Sequence, residues 1–253
     1  MPSSESVYFR DYGSGAPLLL IHGLTVTGEM FEPVVQELSR YHRLIVPDLR
    51  GSGRSRHLPP PYTVRQQADD LAQLLDRLGV ESADILGYSQ GGPVAQQLAI
   101  DHAGRVRRLI LSNTYAYNMA TTQEKIEGHV APVLMRLLGM RRFAESFISL
   151  GLKQVPKERA AWVVGMIADQ DCDLMIAAWI EAMAFDSRER LKEIRCPTLI
   201  IAGGRDSAVP MHHARMLHEG IVGSKLVVLE NADHALIWAH PNSLVKEITK
   251  FLA

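Results

Sequence analysis

Only two cysteines, Cys172 and Cys196, occur in 253 residues. They form no CxxC pair, so the sequence offers neither a thiolate zinc site nor a disulfide framework. Charge of one sign is missing as well. Lys plus Arg number 27 against 28 Asp plus Glu, a formal net charge of −1, which gives no basic face for nucleic acid or an anionic membrane. No apolar run approaches the ~20 residues that span a bilayer. The opening stretch MPSSESVYFR has no apolar core of the kind an export signal carries. The expectation is a protein of a reducing compartment, cytoplasmic, with no membrane and no nucleic-acid partner. There is no internal repeat or low-complexity tract, and Pro59-Pro60-Pro61 reads as a short surface connection.

What is present is an alternation of strand-like and helix-like segments. Ala16–Ile21, Arg43–Val46, Ala83–Leu86 and Val106–Leu111 are short apolar runs, and Pro197–Ala202 and Lys225–Leu229 resume the series later. Short apolar strands separated by helices predict a mostly parallel sheet buried on both faces. Thr63–Leu78 reads as a helix: Thr63 and Gln66 suggest a capping box, Leu71, Leu74, Leu75 and Leu78 share a face, and Gly79 stops it. Thr27–Leu38 and Pro93–His102 are also read as helices. Pro241 opens a last one, with Leu244, Ile248, Phe251 and Leu252 turned inward. Between Thr121 and Met183 only helices are expected. Thr121 with Glu124 forms an N-terminal cap, and Ile126, Val130, Val133, Leu134 and Leu137 form an apolar stripe. The reading is an α/β core domain, residues 1–117 and 188–253, interrupted by a helical cap, residues 118–187.

Residues 85–92 read ILGYSQGG. Gly87-Tyr88-Ser89-Gln90-Gly91 is G-x-S-x-G between a predicted strand and a predicted helix. A serine on so sharp a turn has a strained backbone and an exposed hydroxyl, and side chains two residues either side would collide. The following helix turns its free N–H groups toward the serine. A serine hydroxyl needs a base. His234 stands just past the last predicted strand and Asp206 just past Leu199–Ala202. In a parallel sheet such loops gather on one edge, where ligands bind. Asp206 could then hold the His234 ring in the tautomer that accepts the serine proton.

Taken together, these pieces resemble the α/β-hydrolase fold family over nearly the whole chain. The matching segments are His22-Gly23, the stretch from Pro47-Asp48 through Gly51-Ser52-Gly53-Arg54-Ser55, the Ser89 turn, the Asp206 loop and Asp233-His234. The resemblance implies a nucleophile at Ser89, a base at His234, an orienting acid at Asp206, and an oxyanion hole from the backbone N–H groups of Leu24 and Gln90. It implies a cap after the sixth strand of the fold, a structural role for Asp48, and a loop-pinning role for His22. Asn113, where some relatives carry the acid, cannot replace a carboxylate, and Asp233 is expected to point elsewhere. No metal or organic cofactor is required. His212 and His213, neighbours on a helix, are expected to face different directions and to make a poor metal pair.

The implied activity is hydrolysis of a small, largely apolar carboxylic ester or lactone through an acyl-enzyme. Tyr88, Trp162, Trp179 and Ala235 are candidate substrate contacts. The methionines of the cap are read mostly as packing. Arg136, Arg141, Arg142 or Lys153, if turned inward, would favour a carboxylate-bearing substrate. Carbon–carbon hydrolysis of ring-cleavage products, enol-lactone hydrolysis and perhydrolysis remain alternatives. So does a hydrolase-like receptor that binds a small molecule with little turnover.

Overall fold

A computed structural model describes residues 6–253. Residues 1–5, part of the opening stretch read above for export signals, lie outside the described residues. Seven strands form one sheet: β1 (Phe9–Tyr12), β2 (Ala16–Ile21), β3 (His42–Pro47), β4 (Ala83–Tyr88), β5 (Val106–Ser112), β6 (Thr198–Gly203) and β7 (Lys225–Leu229). Their order is β1-β3-β2-β4-β5-β6-β7, parallel except for the antiparallel pairing of β1 with β3. The sequence reading missed β1. Its four residues carry Arg10 and Asp11 in the middle and show no apolar alternation.

Nine helices accompany the strands among the described residues: α1 (Glu32–Leu38), α2 (Val64–Arg77), α3 (Gly91–Asp101), α4 (Thr122–Gly151), α5 (Lys157–Ala168), α6 (Cys172–Ala184), α7 (Met211–Gly220), α8 (Leu236–Ala239) and α9 (Pro241–Leu252). The pleat sends alternate strand residues to opposite faces. Leu18 and Leu20 of β2 pack with α1, α8 and α9, whereas Leu19 and Ile21 pack with α2, α3 and α7. Both faces are therefore covered, which is why the strands read as near-continuous apolar runs. Thr27 caps a 3-10 turn over Gly28–Phe31 before α1 begins, so the single helix expected from Thr27 is divided in two.

The Thr63 hydroxyl accepts the Gln66 N–H, but the Gln66 side chain turns to Asp70, leaving half of the expected capping box. At the head of α4 both halves form: Thr121 Oγ1 accepts the Glu124 N–H and Glu124 Oε2 accepts the Thr121 N–H.

The helical insertion, α4 to α6, follows β5, the fifth strand of this chain. Gly139 leaves helical geometry (φ 75°, ψ 159°) and bends α4 into two arms, a conformation that glycine adopts without steric cost. The apolar stripe on the first arm is present but uncovered: Ile126 is 59% exposed, Val133 55% and Leu137 76%. Val130, Leu134 and Leu138 from the same arm border a cavity against the core. Of the stripe, Val130 and Leu134 reach the cavity, whereas Ile126, Val133 and Leu137 face outward.

Candidate active site

The strand ends at the carboxyl edge of the sheet carry the site. β2 lies between β3 and β4, so the loops leaving β2 and β4 are neighbours there, the place where open α/β sheets form their crevice. Ser89 follows β4 directly and adopts φ 51°, a left-handed conformation rare and costly for a non-glycine residue. The turn is tied down by Ser89 N–H to Ser112 O at 3.0 Å and Thr114 Oγ1 to Ser89 O at 2.6 Å. A Cβ on Gly87 would stand 2.5 Å from Gly91 O and 2.8 Å from the Ala95 Cβ, and one on Gly91 would collide with Ile21 O. The two glycines let β4, α3 and β2 approach closely enough to make the turn.

Three side chains from separate loops meet at this turn. His234 Nε2 lies 3.0 Å from Ser89 Oγ, and His234 Nδ1 lies 2.7 Å from Asp206 Oδ2. Asp206 is held by the Ala208 and Val209 N–H groups, which donate to its other oxygen at 2.9 and 2.8 Å. The imidazole is buried, which opposes its protonation, but the adjoining Asp206 carboxylate outweighs that and raises its pKa above the usual histidine value. Asp233 takes no part in this line. Its oxygens accept from Ala235 N–H and, across to the insertion, from Gln154 N–H at 3.0 Å.

A cavity of about 470 Å³ opens above Ser89. Leu24, Gln90, Ser89 and His234 border it at the base, and Val130, Leu134, Leu138, Phe143, Phe147 and Trp179 of the insertion wall it above. Glu124 and Glu127 border one end, and no lysine or arginine lines it among the described residues.

A family model for the alpha/beta hydrolase fold matches residues 16–241. The chain belongs to the α/β-hydrolase family. It is similar to a pimeloyl-[acyl-carrier protein] methyl ester esterase of Neisseria meningitidis serogroup C, 32% identical over 231 residues, which cover 87% of this chain and 87% of that one. Among solved structures it resembles a thermophilic esterase from Thermogutta terrifontis, with 30% identity, TM-score 0.87, and 97% and 92% of the two chains covered. It also resembles the enol-lactonase from Burkholderia xenovorans LB400, with 25% identity, TM-score 0.87, and 97% and 96% covered.

In this α/β hydrolase, several candidate contacts lie elsewhere than the sequence suggested. Trp162 borders a second cleft, with Arg10, Arg54 and Arg56, away from Ser89. Ala235 is fully buried and does not face the cavity. Its N–H instead helps to fix the Asp233 side chain. Tyr88 borders the cavity, but its hydroxyl is committed to the His234 carbonyl at 2.9 Å. Burial pushes its pKa well up, so it remains a neutral donor. Trp179 does face the cavity, its indole N–H donating to Gly128 O at 2.9 Å.

The Gln90 side chain is occupied by the Tyr115 hydroxyl, which donates to Gln90 Oε1. His22 is buried; its Nδ1 lies 2.7 Å from Gly23 O, and its Nε2 accepts the Leu49 N–H at 2.8 Å. This ties the loop after β2 to the loop after β3, and burial holds the ring in its neutral form.

Asp48 binds the Gly28 and Arg54 N–H groups and Arg10, a bracing set. His212 and His213 do not diverge as expected. Their rings lie 4.0 Å apart, and both Nε2 atoms approach Glu124.

Sequence reasoning missed Tyr115, Phe143, Phe147, Gln154 and Trp238 as parts of the site. They lie in the insertion, just beyond β5 or in α8, and no motif singles them out. Gln154 braces the His234 loop from the insertion: its side chain donates to Asn231 O at 2.7 Å, and its Oε1 lies 2.9 Å from His240 Nε2.

Proposed function

We propose that this α/β hydrolase cleaves a neutral carboxylic ester or lactone by covalent catalysis at Ser89. The observation that carries the reading is the unbroken line of contacts from Ser89 Oγ through His234 to Asp206, at 3.0 and 2.7 Å. Ser89 Oγ attacks the carbonyl carbon while its proton passes to His234 Nε2, and the carbonyl π electrons move to oxygen. The N–H groups of Leu24 and Gln90 receive that oxyanion, a stabilisation typically worth ~3 kcal/mol per donor. Collapse of the intermediate breaks the bond to the alcohol oxygen, which leaves with the proton from His234. Water then repeats the steps in reverse and releases the acid.

The cavity supports a neutral substrate. Its walls are apolar, and the charged groups bordering it apart from His234 are carboxylates, Glu124 and Glu127. Arg136 pairs with Asp173 on the surface, and Arg141, Arg142 and Lys153 are exposed. A dienoate or other carboxylate-bearing substrate would therefore meet like charge with no lysine or arginine to offset it. The similarity to named esterases agrees with this reading.

The test is a panel of neutral esters, lactones and ring-cleavage dienoates, run on parent and Ser89→Ala protein. Neutral esters or lactones should turn over fastest, and Ser89→Ala should lose at least about 10³ in kcat. Equal rates for folded Ser89→Ala would refute the proposal. Tight binding of a lactone with turnover slower than minutes would replace it with the receptor reading.

A further inference from the structure

Away from Ser89, a second set of titratable side chains converges where the insertion meets the core. Glu124 lies in the first turn of α4 and is buried, with its Oε2 committed to the Thr121 N–H. Its Oε1 lies 2.9 Å from His212 Nε2 and 3.0 Å from His213 Nε2. The two histidines open α7 of the core, and the donor atoms of all three residues lie within 4.8 Å of one another. Two adjacent residues on a helix ordinarily point about 100° apart. Here the ring centroids are only 4.0 Å apart, and both Nε2 atoms reach one oxygen.

Hydrogen bonding accounts for half of this arrangement. His213 Nε2 is hydrogen-bonded to Glu124 Oε1. His212 Nε2 is buried at contact distance from the same oxygen, yet its ring is not aligned with it and the atom has no hydrogen-bond partner. Buried polar atoms are rarely left unmatched. Two imidazoles and a carboxylate are also the donor set that zinc accepts. Bonds of about 2.0–2.1 Å in a tetrahedral site place neighbouring donors roughly 3.3 Å apart, close to the 2.9 and 3.0 Å between Glu124 Oε1 and the two nitrogens.

We propose that Glu124, His212 and His213 form a binding site for a divalent ion of the zinc class, which fastens the first turn of α4 to α7. On metal binding each imidazole offers Nε2 as a lone pair; the His213 proton that Nε2 donates to Glu124 Oε1 without the ion moves to Nδ1 by exchange with water. Glu124 coordinates through Oε1 and retains its helix cap through Oε2. A non-protein ligand completes the coordination. Because Glu124 also borders the cavity, the ion would hold the insertion closed at that rim. The ion would take no part in the covalent steps assigned to Ser89, but it would offset the charge of Glu124 at the cavity rim.

The test uses the full chain, stripped with a chelator and titrated with Co²⁺, then with Zn²⁺. The parent should develop a visible d–d band that saturates at one equivalent and is displaced by Zn²⁺. Its melting temperature should rise with Zn²⁺. His212→Asn, at a partly exposed ring, and His213→Asn should each weaken binding at least about tenfold, while Ser89→Ala should titrate like the parent. The proposal fails if the parent gives neither band nor thermal shift, if both histidine variants bind like the parent, or if Ser89→Ala alone loses the band. Should His213→Asn not fold, His212→Asn decides between these outcomes.

Discussion

Tyr88 donates its hydroxyl to the backbone carbonyl of His234 at 2.9 Å, and the two rings meet edge to face at 5.9 Å. The residue preceding the serine therefore fixes the height of the loop that carries the histidine. Tyr88→Phe keeps the packing and orphans a buried carbonyl, so it should cost about 1–3 kcal/mol of stability. It should lower kcat more than it raises KM, because the imidazole loses its support. Thermal unfolding and steady-state kinetics on one ester check both parts.

Asp206 sets the pH dependence. Burial resists the imidazolium, but the 2.7 Å contact with Asp206 overcomes it, and the His234 pKa lies above the ordinary value of about 6.5. In the proposed mechanism His234 acts when neutral, so kcat/KM should fall in acid with a midpoint above that value. Asp206→Asn should move the midpoint down and reduce kcat by about 10⁴. Stability has the opposite dependence. A raised pKa means the folded state favours the protonated ring, so this contribution is full below about 6.5 and is lost as pH rises through the folded value. Asp206→Asn should therefore destabilise more in acid than in alkali, as pH-dependent denaturant titrations would report.

Ser89 carries a positive φ of 51° for a reason other than stability. Ser89→Gly removes the steric penalty and should raise the unfolding free energy by up to ~1 kcal/mol, although glycine's larger unfolded-state entropy offsets part of that gain. Esterase activity should vanish. A variant that melts clearly lower than the parent would contradict the strain argument.

Gly87→Ala should do the reverse at the same turn. Its Cβ would stand 2.5 Å from Gly91 O, so β4 and α3 would have to separate. We expect a loss of about 1–3 kcal/mol or more, read as a fall in melting temperature, together with loss of activity from displacement of Ser89.

Leu134 borders the cavity from the first arm of α4 and is 40% exposed. Leu134→Lys would place a cation where none faces the substrate. At such a partly solvated position an ion pair is worth up to ~1 kcal/mol, so relative kcat/KM for a half-ester of a dicarboxylic acid over its neutral analogue should rise by about two- to fivefold. An unchanged ratio would mean that substrates do not pass this arm.

How much the sequence decided depended on how local the cause was. The strands were legible because a sheet buried on both faces writes itself as apolar runs, and α2 because Thr63 and the leucine spacing mark its start and face. The Ser89 turn was legible because its steric demand falls on glycines only two residues away. β1 was not legible, since its four residues carry Arg10 and Asp11 in the middle and show no apolar alternation. Spacing alone could not tell which side of α4 would be covered, because that depended on the bend at Gly139 and the cavity beneath. Nor could it show that Trp162 faces a different cleft from Trp179, or that His212 and His213 lean together onto Glu124, since these follow from how the insertion sits on the core. The sequence by itself determined the sheet, the serine turn and the order of the residues that follow its strands. Only the tertiary structure decided which distant side chains meet, because a contact across a hundred residues is set by the packing of whole elements and leaves no period or spacing in the chain.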